Sequence, residues 1–478
     1  MGLITPEEYK QSLKDGRIIY YEGEKVEDIT THPALKVCIE TAAMDYEMAE
    51  TPEYRDLAVV AHPKTGEPIS RYYYTPQNAE DLLKRHELMV TATRLGGGVI
   101  PFIHDIGADT LNAVNITANM MGKKEYTERA EDYRYYLQKN DLSAASAVTD
   151  VKGDRMLRPS SPKQAHPDYY VRVVDKDDKG ITVRGAKAHI TASAYCKELF
   201  VIPCRNMTEE DKDYAVAFAI PVNTKGVKQI CHPITWRLGS LEFPNDLPIR
   251  NHTDSLIVFD DVFVPWERVF LCGEWQYAMA LVYNFAYLHR HTAASYRIPS
   301  SEAMIGAAQA MAEYNGIDKV PHVREKITNL IIYVDTLKSL ARASCMDYIT
   351  HAGIPIPNPV ISNIAKYHFA ENLHNCIKAI EDIAGGLLIT VPTYKDYQNP
   401  ETRDYMEKYL GGKAGIPTEH RLRMLQLIRR RLATFETEVL ALHAEGSLQA
   451  QRMTIYGESV SKIQQYKEWA EIAAGIKK

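Results

Sequence analysis

Paired thiols, membrane-length apolar runs, a basic excess and internal repeats are all missing from this chain of 478 residues. The seven cysteines, at 38, 196, 204, 231, 272, 345 and 376, are scattered, odd in number and never spaced Cys-x-x-Cys. That excludes a disulfide-stapled scaffold. Met1 leads straight into Thr5-Pro6-Glu7-Glu8, a helix start and not a signal peptide, so reduced thiols in a cytoplasmic protein are expected. The apolar runs are far shorter than a bilayer-spanning helix needs. A net charge of −6 with 25% charged residues argues against nucleic acid as a partner. It also lends no help in steering an anionic substrate, so any anion site must be built locally. No Gly-x-Gly-x-x-Gly nicotinamide fingerprint occurs. Gly96-Gly97-Gly98 is not followed by Gly-Lys-Ser/Thr, so it reads as a bend or a close backbone approach and not as a phosphate loop.

What is present divides into three blocks: helical over residues 1–145, β-rich over 146–272, helical again over 273–478. The length suits two or three domains with an ample core. Helix starts are read at Thr5-Pro6 and at Thr31-His32-Pro33, and helices over 75–95 and from Asn112 to about Lys139. Strands are expected at 18–21, 170–174, 181–184, 199–203, 214–219, 229–232 and 255–259. Short strands with hairpin turns and one polar face argue for an antiparallel, barrel-like central domain. Helical spacing returns over 275–296, 300–315, 321–353, 359–384, 401–411 and 418–445, a bundle with short connections.

The stretch from Ala145 to Ser193 organises the rest. It opens with Val148-Thr149-Asp150-Val151-Lys152-Gly153-Asp154-Arg155 and closes with Lys187-Ala188-His189-Ile190-Thr191. By composition alone the first loop is an ordinary turn. Together with Phe259-Asp260-Asp261-Val262-Phe263-Val264-Pro265 and Gly446-Ser447-Leu448-Gln449, it resembles the family that joins 4-hydroxyphenylacetate 3-hydroxylases and 4-hydroxybutyryl-CoA dehydratases. The resemblance covers nearly the whole chain and lies nearer the dehydratase branch. It implies an α+β, acyl-CoA dehydrogenase-like fold. It also implies a flavin, FAD held by the protein or reduced FAD or FMN supplied by a separate reductase. The flavin contacts it implies are Val148, Thr149, Asp150, Lys152, Gly153, Asp154 and Arg155, then His189, Ile190 and Thr191, then Gly446, Ser447, Leu448 and Gln449. Gly385-Gly386 matches an element that lets a neighbouring subunit's backbone approach the flavin pyrophosphate, where a Cβ would intrude. The plainer reading is a helix end. A shared cofactor implies an oligomer, and the family a homotetramer.

The resemblance also marks His289, in Tyr287-Leu288-His289-Arg290-His291. In the dehydratases this histidine binds iron, and in several oxygenases it lies beside the reacting flavin. His104 falls on a segment placed near the substrate. Both are candidate catalytic residues, suited to proton transfer near neutrality. The departures are informative. The dehydratases' cluster cysteines fall on Pro101, Asp105 and Tyr296, so no thiolate remains and no iron–sulfur cluster or other metal is expected. The dehydratases' base falls on Leu440, with Glu438 and Glu445 nearby, a second acid on Asp254 and a lysine on Arg297. The hydroxylases' phenolate-binding trio falls near His104, Ala108 and Ser146. Two activities follow: a hydroxylase using reduced flavin and oxygen on a phenolic ring, or a cluster-free acyl-CoA dehydrogenase or isomerase.

Overall fold

The computed structural model describes residues 2–234, 243, 250–432 and 444–477. The chain forms two compact units. The first comprises Met1–Trp236, Ile249–Thr292 and Ile349–Ile356; the second comprises Arg237–Pro248, Ala293–Tyr348 and Pro357–Lys478.

The first unit opens with helix α1 (Pro6–Ser12), whose Thr5 and Glu8 form a reciprocal capping box as the sequence signals. A hairpin of β1 (Ile19–Tyr21) and β2 (Glu24–Val26) follows. Helices α2 (Pro33–Ala42), α3 (Met44–Glu50) and α4 (Pro52–Ala58) lead to the small hairpin of β3 (Val59–Ala61) and β4 (Pro68–Ser70). Helix α5 (Ala79–Leu95) begins four residues inside the expected range, because the Asn78 side chain caps it by accepting from the Asp81 amide. The helical run expected from Asn112 is two helices, α6 (Asp105–Met121) and α7 (Lys124–Asn140), separated at left-handed Gly122.

The β region holds two open sheets. The larger runs β2-β1-β10-β11-β7-β6, with β6 (Arg172–Lys176), β7 (Gly180–Thr191), β10 (Val227–Cys231) and β11 (Asp254–Pro265). The smaller runs β12-β9-β8-β5, with β5 (Ala144–Ala147), β8 (Glu198–Val201), β9 (Val216–Pro221) and β12 (Val269–Cys272). The expected barrel is therefore not formed. Its closure fails at β5, which pairs parallel with β8 on one side; on the other, the Ala144 amide bonds Ile103 O and α6 packs against the strand. A helix covers that edge where a barrel would need another strand.

Helix α6 is buried at every residue from Asp105 to Ala118, a core helix carrying polar groups. Its approach to β5 depends on Gly107: a Cβ there would lie 2.5 Å from Ala144 Cβ and 2.7 Å from Ala144 O.

The second unit is helical. Helix α8 (Ala278–Tyr314) enters it at Ala293 and runs unbroken through Pro299, where two helices are expected. Helix α9 (Pro321–Met346) ends before a hairpin of β13 (Ile349–His351) and β14 (Ile354–Ile356), which belongs to the first unit. The Ile354 and Ile356 side chains bury against Ile116 and Leu288 there. After α10 (Pro359–Ala384) come α11 (Leu387–Thr390), α12 (Tyr394–Gln398), α13 (Pro400–Tyr409), α14 (Thr418–Leu432), α15 (Leu448–Glu458) and α16 (Val460–Ala473). Their core gathers Ala308, Met311, Leu330, Ile383, Leu422, Leu425 and Ile428. Among the described residues no helix is long and apolar enough to cross a membrane.

Replacing Gly107 by alanine should raise helix propensity by about 1 kcal/mol and still destabilise the protein. The new methyl group meets the β5 backbone, an overpacking cost of roughly 1–3 kcal/mol. A thermal melt of Gly107→Ala beside the parent checks the sign: a raised midpoint would show that α6 does not need this close approach.

Candidate functional site

In the first unit, charged and polar groups from α5, α6 and α8 meet in the interior. Asp109, buried on α6, accepts three hydrogen bonds: from Arg85 on α5 at 2.6 Å, from Thr292 Oγ1 at 2.8 Å and from His289 Nδ1 at 3.0 Å. Burial works to raise the Asp109 pKa, but Arg85 and the bonds from His289 and Thr292 overcome it and hold the carboxyl below its ordinary range. An ionised Asp109 fixes the His289 ring with its Nδ1–H toward the carboxylate. Phe285, one turn earlier on α8, stacks on that ring with centroids 4.8 Å apart.

One turn before Asp109 on the same helix, Asp105 is 1% exposed. Neither of its carboxylate oxygens has a hydrogen-bond partner among the described residues. Burial first, then the charges of Asp45 and Asp109, lift this carboxyl to about 7 against the opposing pull of His289 and Arg85. Just upstream, Phe102 is buried with φ +63°, a left-handed conformation costly for a bulky residue.

His104 sits differently from His289. It is buried between two carboxylates, with Nδ1 3.2 Å from Asp45 Oδ2 and Nε2 3.7 Å from Asp141 Oδ1. Burial lowers its pKa, but the bond to Asp45 and the charge of Asp141 outweigh that and raise it. Ala108 is buried, and the Ser146 hydroxyl is taken up by Thr110 and Ile106 O.

The segments read as flavin contacts around β7 come together. The Ala188 amide donates to Thr149 O at 2.8 Å, and Asp150 bridges Lys187. Lys187, 1% exposed, spends all three ammonium hydrogens inside the protein, on Val148 O (2.9 Å), Ile202 O (2.8 Å) and Asp150 Oδ2 (2.8 Å). Gln164 clamps the loop: its side chain donates to Lys152 O and Asp154 O and accepts from the Asp154 amide. Lys152 and Gly153 are left-handed, and Gly153, Asp154 and Arg155 are exposed. His189 is exposed and left-handed at a bulge in β7, which re-aims the strand just before Ile190 and Thr191. Opposite Thr191 stands buried Asp254, whose Oδ1 has no partner among the described residues.

The remaining candidates lie in the second unit. Gly446 is left-handed, and Ser447 caps α15 by accepting from the Ala450 amide, so Leu448 and Gln449 form its first turn. Gly385 (φ +79°) ends α10, as the helix-end reading expects. Gly386 has an ordinary φ of −59°, and a Cβ on it would meet nothing within 4 Å. Glu445 is buried against Arg297 Nη2 (2.9 Å), Tyr296 Oη (2.6 Å) and Lys366 Nζ (3.7 Å). Glu438 and Leu440 lie outside the described residues. The oxygen donors of Asp105 and Tyr296, with Pro101, do not match the thiolate set of an iron–sulfur cluster. No group of three or more His, Cys, Asp or Glu side chains among the described residues is placed to hold a metal ion. The sequence reading missed Arg85, Asp109, Thr292, Lys187 and Gln164. Asp105 and Asp109, spaced i,i+4 directly after His104, were the one visible signal.

Two family models match, described as 4-hydroxyphenylacetate 3-hydroxylase N terminal over residues 5–271 and C terminal over residues 278–475. The 4-hydroxybutyryl-CoA dehydratase/vinylacetyl-CoA-Δ-isomerase of Clostridium aminobutyricum is 34% identical, over 99% of this chain and 100% of its own. The oxygenase component of 4-hydroxyphenylacetate 3-monooxygenase from Thermus thermophilus is 30% identical, over 88% and 87%. Among solved structures, an oxygen-tolerant archaeal 4-hydroxybutyryl-CoA dehydratase from N. maritimus superposes with a TM-score of 0.91 at 29% identity, covering 100% of this chain and 96% of its own. The oxygenase component HpaB complexed with FAD gives 0.87 at 25%, covering 99% of each chain. Butyryl-CoA dehydrogenase from Megasphaera elsdenii, at 14% identity and a TM-score of 0.50, shares the fold alone. With helical regions flanking a central β region, the architecture is acyl-CoA dehydrogenase-like, and the chain belongs to the 4-hydroxyphenylacetate 3-hydroxylase (HpaB) family.

Proposed function

We propose that this protein is a FAD-dependent oxidoreductase of the hydroxylase type. It would act with reduced flavin and oxygen on a phenolic or related aromatic ring, as a homotetramer supplied by a flavin reductase. The observation that carries this reading is the His289–Asp109 pair. With Nδ1–H given to an ionised carboxylate, the tautomer is fixed and Nε2 is the basic nitrogen of the ring, the kind of atom that takes a proton from a substrate hydroxyl.

The loop Val148–Arg155 and the His189–Thr191 bulge would hold the flavin. The braced loop beside β7 and Asp254 Oδ1, opposite Thr191 and without a partner among the described residues, fit a polar ring edge. Taken by itself, the α15 N-terminus at Gly446–Gln449 suits a pyrophosphate group. When bound, the flavin supplies two-electron chemistry and the activation of oxygen. The protein's own part is to orient the ring, exclude water and move the proton at His289. Assembly is supported by α16, which buries no residue in its own chain and exposes Tyr466 and Trp469 at 60% and 69%.

A second reading, a cluster-free acyl-CoA dehydrogenase or double-bond isomerase, draws on the higher identity to the dehydratase/isomerase. Such chemistry needs a carboxylate base: of the two candidates, Glu445 is engaged by Arg297 and Tyr296, and Glu438 lies outside the described residues.

Turnover with reduced flavin and oxygen across a phenol panel should yield hydroxylated product. Immediate peroxide release without product, with anaerobic bleaching of bound flavin by an acyl-CoA, would replace the first reading by the second. A neutral Asp105 has its own signature. The native state keeps this proton to about pH 7, whereas the unfolded chain releases it near its ordinary value of about 4, so its contribution to stability falls as pH rises between those limits. Asp105→Asn should therefore gain thermal stability relative to the parent across that window, by up to a few kcal/mol, and level off above it. A pH-independent difference would show that Asp105 is ionised throughout. Gly386→Val separates a shared cofactor site from a helix end. With open space and no backbone strain, the folded subunit should change by less than about 0.5 kcal/mol. FAD affinity should nevertheless drop roughly tenfold or more and the tetramer loosen. Unchanged FAD affinity in a Gly386→Val tetramer would rule out the shared site.

A further inference from the structure

Beneath the His104 ring lies a cavity the size of one water molecule, lined by Asp45, Tyr72, His104 and Asp141 with Ser70, Leu3 and three small or aliphatic side chains. Four buried polar atoms from those first four residues have no hydrogen-bond partner among the described residues: Asp45 Oδ1, Tyr72 Oη, His104 Nε2 and Asp141 Oδ1. The remaining atoms of the same side chains are committed. Asp45 Oδ2 takes the His104 Nδ1 contact at 3.2 Å, and Asp141 Oδ2 accepts the Ile4 amide at 3.3 Å. Aromatic rings wall the imidazole on several sides: Tyr46 and Tyr73 present edges at 4.9 and 5.5 Å, and Tyr72 stacks at 6.1 Å.

The unused valences are complementary. Two carboxylate oxygens accept; the Tyr72 hydroxyl and the Nε2–H of a protonated His104 donate. Leaving four such groups unpaired in the interior would cost several kcal/mol in all, at roughly 1–3 each. A water molecule offers two donors and two acceptors, and interior waters settle where a polar cavity supplies two to four partners. We propose that this cavity is a binding site for one buried water molecule, which ties α3, the Arg71–Tyr73 turn, His104 and the end of α7 at Asp141 into a four-way junction. A metal ion fits less well, because two of the four partners present hydrogens to the centre. The Tyr72 phenol is the independent sign: an acidic cluster alone needs no hydroxyl aimed into it, whereas a water does.

The junction also assigns His104 a task different from that of His289. Its two nitrogens face Asp45 and the Asp141 side of the cavity, and the residue sits immediately before the first turn of α6.

Two measurements test the site on the full-length protein. A near-atomic-resolution crystal structure should show one peak within hydrogen-bond distance of all four atoms. A dry cavity, or an ion with oxygen contacts well below hydrogen-bond length, would overturn the proposal. In solution, Tyr72→Phe, Asp141→Asn and the double variant form a thermodynamic cycle. Tyr72 Oη has no protein hydrogen bond of its own, so coupling between the two must pass through the guest. The double variant should lose clearly less in Tm than the sum of the single losses; simple additivity would count against a bridging water.

Discussion

Asp109 is the point on which the first unit turns. One buried carboxylate receives a guanidinium from α5, a hydroxyl and an imidazole from α8, and is carried by α6. Removing either charged side leaves an uncompensated charge in the interior, which typically costs 3–5 kcal/mol. The three helices are thus held in register by a group whose loss none of them could absorb. The same bond that aligns them also fixes which nitrogen of His289 is committed. Architecture and proton chemistry share one contact here, so a substitution at Asp109 cannot be read as purely structural or purely functional.

Around that contact the charges are nearly balanced by burial itself. Asp45, Asp105, Asp109 and Asp141 face Arg85, His104 and His289. Carboxylates outnumber the one permanent cation, Arg85, and the two histidines together. Burial and the charges of Asp45 and Asp109 relieve part of this excess by favouring the protonated form of Asp105, whose oxygens have no partner among the described residues. The protonation states of this core are therefore set collectively.

Much of the fold could be read from the chain, and the failures have physical causes. The capping box at Thr5 and the strands around 181–184 and 255–259 carry local signals strong enough to survive tertiary packing. Helix α6 was misread because it is buried all round and yet holds Asp105, Asp109, Asn112 and Asn115; a polar-loaded core helix shows neither an amphipathic period nor a plain apolar run. Sheet closure is invisible to alternation, since whether a strand or a helix covers β5 is decided by Gly107 and Ile103, far from the strand's own pattern. At the site, the family resemblance drew attention to His289 and the loop after Val148. Of the groups that hold them, Arg85 and Asp109 lie far from His289 in sequence, Gln164 is ten residues from the Asp154 it clamps, and Lys187 stands inside the quoted stretch with no local sign that its ammonium turns inward.

Lys187 has a bearing on how any ligand of that loop would come and go. Its ammonium is fully satisfied by Val148, Ile202 and Asp150, all of them protein groups, and Gln164 holds the next turn in the same way. The loop's shape is thus set by the protein's own groups, and a molecule that used it would lose little further conformational entropy there. Lys187 acts as an internal strut, so the cost of replacing it would fall first on the path of the backbone at Val148 and Ile202.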